Sequence, residues 1–185
     1  MPGGSKSKSN EQEALFVAAF ANYLILQGYN PAEITILSMY VGQTLKIKHI
    51  LKKKYNVTEL RVATVDNYQG EENEIIILSM VRSNKKNILG FTSIENRICV
   101  ALSRSKIGLF VMGNFDCLCK GRKTDLWLKI VNTAKSKGAF GNSLSLACQN
   151  HGKARLVSSE RDFEKIALGG CMEVCRGTKE CGHIW

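Results

Sequence analysis

The chain has 185 residues, 44% of them hydrophobic. That length supports one sizeable core and a small accessory module, and it excludes a chain of several large domains. Lys and Arg number 26 against 16 acids, a net charge of +10, which suits either a polyanionic partner or an ordinary basic surface.

Residues 1–10, MPGGSKSKSN, are small, polar and cationic, and read as a disordered tail or an expression remnant. Ordered structure begins at Glu11. From Glu11 to Gln27 the apolar positions recur at helical spacing, with Gly28 to end the helix and Asn30-Pro31 to turn the chain. Ala14 to Leu26 is apolar enough to mimic a signal sequence, but Asn22 interrupts it and Glu11 and Glu13 precede it. Its length suits a core helix, so no membrane span is expected. Without an export signal, the 7 cysteines belong to a reducing compartment, where clustered thiols suggest metal before disulfides.

ITILSM then reads as a buried strand, and Gly42 to Tyr55 as a helix with Leu45, Ile47, Ile50 and Leu51 opposite a lysine-rich outer face. His49 falls on that outer face. LRVAT, EIIILSM and IGLFVMG supply three further strands, with a helical stretch SIENRICVALSRSK before the last. Continuous apolar runs imply strands covered on both faces, and strands separated by helices imply a parallel sheet. In such a sheet functional loops lie beyond the carboxyl ends of the strands, which places SMYVGQ, TVDNYQG, MVRSN and GNFD along one rim. A last amphipathic helix over about Thr124 to Lys137 precedes a linker at Gly138 to Ser143.

The string TVDNYQGEENEIIILSMVRSN followed by NRICVALSRSKIGLFVMGN resembles motifs V, Va and VI of superfamily 1 helicases of the Upf-like RNA helicase type, with ITILSMYVGQ matching the motif IV region. CQNH, GGC and CGH further on resemble the branch of that family with NFX-type zinc fingers. The resemblance implies a RecA-like parallel sheet flanked by helices, the P-loop NTPase fold of a second helicase lobe, over residues 11–140. ATP with Mg would sit between this lobe and a first RecA-like lobe, because GxxxxGK[ST] and the acidic DE motif do not occur in this sequence.

By the same resemblance Arg104 of ALSRSK is the arginine finger, a guanidinium that stabilises charge on the transferred phosphoryl group. Gln69, Gly70 and Glu72 would contact nucleotide, the glycine by allowing close backbone approach. Ser38, Tyr40, Thr64, Asp66, Arg82 and Asn84 would lie near the RNA strand or couple it to ATP, in the manner of backbone contacts that carry no sequence information. Taken alone, Arg104 reads rather as a surface ion-pair partner and Glu71 as a solvated acid, while Tyr40 reads equally as a packing aromatic. Where the Upf-like pattern has asparagine before VALTR, this chain has Cys99, read as buried; Cys117 and Cys119 read as packing thiols.

Residues 141–185 hold Cys148, His151, Cys171, Cys175, Cys181 and His183. Their density suits tetrahedral zinc, whose binding can supply folding energy to a segment too short for its own core. The NFX-type resemblance strengthens that reading as the start of a zinc finger, with Cys171, Cys175, Cys181 and His183 as one set that can be written.

The expectation is therefore the ATPase lobe of an ATP-dependent RNA helicase, inactive without its first lobe. The resemblance implies RNA as partner, together with RNA-silencing or RNA-decay proteins, and a role in RNA surveillance, silencing or antiviral defence. It places the protein in the cytoplasm, with RNA granules or the nucleus as alternatives. A non-catalytic RNA-binding or scaffolding module with a zinc-binding tail is the competing expectation.

Overall fold

A computed structural model of the chain describes residues 8–121, 125–147 and 154–166. Helix α1 spans Glu11–Leu26, β1 Ile34–Ser38, α2 Val41–Tyr55, β2 Arg61–Thr64 and β3 Asn73–Ser79. Helix α3, Glu95–Leu102, leads into β4, Ser105–Met112, followed by α4, Phe115–Lys120, and α5, Asp125–Ser136. All four strands are parallel, in the order β2-β1-β3-β4.

The greasy central strands are explained by this sheet. Successive side chains of a strand point to opposite faces, and here both faces are roofed by helices. Ile34, Ile36, Ile75 and Ile77 join α1 and α2 in one buried cluster. Leu37, Ile76 and Leu78 join Ile98, Leu118 and Trp127, on α3, α4 and α5, in the other. Each fully buried aliphatic side chain is worth roughly 1.5–3 kcal/mol of transfer free energy, so an alternating strand would leave one of these layers unpaid for in apolar surface. The expected cover on both faces does not extend to β4, an edge strand that is only partly buried, with Ile107 79% exposed.

Helix α1 starts where Asn10 caps it by accepting from the Glu13 amide at 3.2 Å. It ends ahead of Gly28, whose φ of +97° few other residues adopt. Helix α2 buries Gln43, Thr44, Ile47, Ile50 and Leu51. Leu45, expected on that face, is 62% exposed, because its place on the helix turns it away from α1 and the sheet.

The β2 to β3 connection carries no α-helix. Residues 65–72 leave the carboxyl end of β2 and cross to the amino end of β3 through a single 3-10 turn, Asp66–Tyr68. Tyr68 is buried beneath it, its hydroxyl 3.3 Å from Thr35 Oγ1 of β1. This polar segment therefore crosses one face of the sheet instead of staying at one rim.

Past α5 the sequence reading assigns no regular element. The structure has an antiparallel hairpin there, β5 Leu144–Ala147 and β6 Ala154–Val157, then α6, Glu160–Glu164. Val157 and Phe163 belong to the same cluster as α1 and β1, so packing continues beyond residue 140. Ring centroids of Phe163 lie 5.4 Å from Phe16, 6.0 Å from Phe20 and 5.7 Å from Tyr23. Phe163→Ala should cost about 3 kcal/mol by leaving a cavity under α6, read as a lowered urea midpoint with an unchanged core spectrum.

Candidate functional site

The residues singled out from the sequence separate onto the two ends of the sheet. SMYVGQ, the start of TVDNYQG, MVRSN and GNFD do share the carboxyl-end rim, but Gln69 and Gly70 have crossed toward the amino ends, where Glu72 and Arg104 lie, about 16 Å away along a strand of β1's length.

At the amino ends of β3 and β4, the crossover loop meets the residue that opens β4. Arg104 Nη1 donates to the Glu71 carbonyl at 3.3 Å, Nε to the Val100 carbonyl at 3.1 Å and Nη2 to Ser103 Oγ at 2.8 Å. The Asn73 amide donates to the Arg104 carbonyl at 3.0 Å, which fixes the two backbones side by side. Glu71 pairs with Arg61 at 2.8 Å and Glu72 with Lys106 at 3.1 Å. The hydrogen bond to Glu72 holds the Lys106 ammonium above its ordinary pKa. These pairs are exposed, so they contribute little to stability and exchange readily for another charged partner.

Gly70 has φ +83°, with nothing within 4 Å of the place a Cβ would occupy. The glycine serves a left-handed turn, and no atom of the chain crowds the place of its Cβ. Gln69 and Glu72 are exposed beside it. An exposed carboxylate, an amide and a guanidinium thus share one end of the sheet, a donor and acceptor set that fits a nucleotide's ribose and phosphates.

At the carboxyl ends the picture differs. Ser38 is fully buried and Tyr40 is 6% exposed, so neither side chain is presented to solvent. Tyr40 donates to the Leu89 carbonyl at 3.3 Å, accepts from the Phe91 amide at 3.2 Å, and stacks 5.4 Å from the Phe91 ring. Burial raises its phenol pKa, opposed by the Phe91 amide and by the charges of Arg82 and Arg97. Of the two readings of Tyr40, the packing one describes this geometry.

Arg82 Nε donates to the Ile88 carbonyl at 2.7 Å, and Asn84 Nδ2 to the same oxygen at 3.0 Å. Asn84 Oδ1 accepts from the Ile88 amide at 3.0 Å. Both side chains therefore staple the 82–91 loop. Thr64 Oγ1 accepts weakly from the Asn67 amide at 3.4 Å, and Asp66 pairs with Arg97 at 2.8 Å. Lys85 and Lys86 are exposed on the stapled loop. Phe91 is also exposed, with the Arg97 guanidinium 4.7 Å over its ring.

Sequence reasoning passed over Phe91, Arg97, Gln43 and Glu13. Glu13 was read only as an acid flanking an apolar segment, yet it is buried. Its Oε1 accepts from Ser79 Oγ at 2.5 Å and from the Val81 amide at 2.8 Å. Gln43 Nε2 donates to Ser79 Oγ at 3.0 Å, and Gln43 Oε1 accepts from the Asn10 amide at 2.8 Å. Desolvation raises the Glu13 pKa from 4.5 to about 7, opposed by the Ser79 hydroxyl and the Val81 and Met80 amides. An acid in the first turn of a helix is an ordinary sequence feature; only packing shows that this one points inward.

Cys99, read as buried, is exposed, whereas Cys117 is buried and Cys119 half-buried. Cys148, His151, Cys171, Cys175, Cys181 and His183 lie outside the described residues. Among the described residues, no group of three or more His, Cys, Asp or Glu could hold a metal ion, and no helix is long and apolar enough to cross a membrane.

A parallel sheet flanked by helices is consistent with a RecA-like domain, and residues 2–116 match the AAA domain family. The chain is 44% identical over 180 residues to NFX1-type zinc finger-containing protein 1 of Mus musculus, covering 97% of this chain. Over 132 residues, 70% of this chain, it is 42% identical to the helicase required for RNAi-mediated heterochromatin assembly 1 of Schizosaccharomyces pombe. A regulator of nonsense transcripts 1 homolog of Neurospora crassa is 37% identical over 133 residues, 69% of this chain. The chain belongs to the Upf-like helicase family. It spans 9%, 13% and 12% of the length of these three relatives.

Glu13 gives this helicase-family chain a definite pH response. Because its folded pKa is raised, the native state holds a proton that the unfolded chain has released between pH 4.5 and about 7. Stability should fall as pH rises through that window, by up to roughly 3 kcal/mol from this group. Glu13→Gln, an isostere of the protonated form, should flatten the profile, as measured by urea unfolding at pH 5 and pH 8.

Proposed function

We propose that the chain is the second RecA-like lobe of an ATP-dependent RNA helicase. The observation that carries this reading is the meeting of Arg104 with the QGEE loop at the amino ends of β3 and β4, where Arg104 Nη1 lies 3.3 Å from the Glu71 carbonyl. A guanidinium on this exposed surface has a known use: reaching across to a phosphate held by a facing lobe. Bound ATP with Mg would supply the phosphoryl group and the charge that Arg104 stabilises.

The chain's own residues then divide the work. Glu72 would exchange Lys106 for a ribose hydroxyl, an exchange made cheap by the pair's exposure. Gly70 shapes the turn that presents Gln69 and Glu72. At the other end the stapled loop, with Arg82, Lys85, Lys86 and Arg97, presents positive charge to an RNA backbone in the sequence-tolerant manner of single-strand motors. Crossing residues 65–72 touch both ends, Asp66 through Arg97 and Glu71 through Arg104, and this supports a coupling of RNA to nucleotide through one short segment.

Cys148, His151, Cys171, Cys175, Cys181 and His183 would bind zinc in an NFX-type tail, a reading supported by the relative's zinc-finger name. The names of the relatives also support work in RNA silencing or RNA decay, with the cytoplasm as the expected site and antiviral RNA surveillance as one setting. In a protein that joins this chain to a first lobe, Arg104→Ala should lower RNA-stimulated ATP turnover on the order of a thousandfold with little change in KM. Steady-state ATPase assays check it, and turnover within a few-fold of the parent would remove Arg104 from the role.

A further inference from the structure

We infer that Glu13 is a positioning residue for the carboxyl-end loop, clamping the exit of β3 so that Arg82 and Asn84 are delivered to their staple. The inference deepens the reading of that loop as an RNA surface.

The chain leaves β3 through a turn it would not adopt unaided. Val81 has φ +70°, a left-handed conformation that a β-branched residue strongly disfavours. The Arg82 amide donates to the Met80 carbonyl at 2.8 Å, closing a three-residue turn of the rare, strained kind. Such backbone persists only where its surroundings over-determine it.

Glu13 is what over-determines it from α1. One carboxyl oxygen takes both the Val81 amide and the Ser79 hydroxyl. Ser79 is in turn held by Gln43 of α2, which is tied to the backbone of Asn10. Met80 is fully buried and donates to the Met112 carbonyl at 3.0 Å on the β4 side. A Cβ on Gly113 would come within 2.8 Å of Met80 Cβ, so β4 leaves the turn no room to relax.

Packing alone does not call for this acid. A buried carboxyl is costly, and an apolar residue would serve α1's core better. What an acceptor adds is an anchor for the Val81 amide, and the direction of that amide sets where Arg82 and Asn84 begin.

The test uses the 185-residue chain with three variants, reading amide exchange by NMR and affinity for a single-stranded oligouridylate at low salt. Glu13→Ala should accelerate exchange at Val81 and Arg82 about tenfold more than at Ile36 of β1, and weaken oligouridylate binding about tenfold. Glu13→Gln, whose oxygen can accept both bonds, should restore both readouts to within about threefold. Should Glu13→Ala not fold, Glu13→Asp, which withdraws the carboxyl by one methylene, is read the same way. Equal acceleration at Val81 and Ile36, or oligouridylate affinity in Glu13→Ala equal to the parent's, would overturn the inference. If the parent chain itself shows no oligouridylate binding, the RNA reading fails by itself, and selective loss of protection at Val81 still supports the clamp.

Discussion

Every strand of a parallel sheet enters from the same end, and the rest of this structure depends on that constraint. Each connection has to carry the chain back across the sheet, so loops accumulate at two opposite ends with different neighbours. The three crossings between the four parallel strands can be judged by what they leave behind: α2 roofs one face, α3 the other, and the 65–72 segment crosses with the buried Tyr68 to hold it down. Because that segment has no helix, its polar side chains stay available at both of its ends. Asp66 reaches the carboxyl-end loop and Glu71 meets Arg104.

The two ends differ in how their side chains are held. At the amino ends the charged groups sit in exposed pairs, Arg61 with Glu71 and Lys106 with Glu72, which water screens and which cost little to exchange. At the carboxyl ends Arg82, Asn84, Tyr40 and Glu13 make hydrogen bonds to backbone, most of them to one loop. The first arrangement suits a surface that changes partners during a cycle, and the second a surface whose shape is set before a ligand arrives. Trp127 adds to the second, its Nε1 donating to the Thr92 carbonyl at 2.8 Å from inside the core.

Much of the fold was legible from residue order. The run IIILS demanded cover on both faces, and Ile75 and Ile77 do face one helical layer while Ile76 and Leu78 face the other. Gly28 and the apolar spacing marked α1 to within a residue or two, whereas Asn10, assigned to the tail, proves to be its cap. What failed to show was anything decided by register or by distant packing. Leu45 looks inward on composition and faces solvent, and Cys99 looks buried and is exposed. The hairpin and α6 were missed because their strands are four residues each, too short to carry a periodic signal; their support comes from rings on α1 that lie more than a hundred positions away.

The stretch TVDNYQGEENEIIILSMVRSN shows where the division falls. Local sequence determined its chemistry: a polar, glycine-bearing segment feeding a strand apolar on both faces, in an order that marks the Upf-like helicase family. Tertiary structure decided which end of the sheet each residue occupies, setting Glu71 with Arg104 and Asp66 with Arg97, and turning Glu13 inward onto Val81. The reason is physical. Residue type fixes what a side chain can bond, whereas its partners here come from elements distant in sequence, and only the closing of the sheet and its helices brings them within reach.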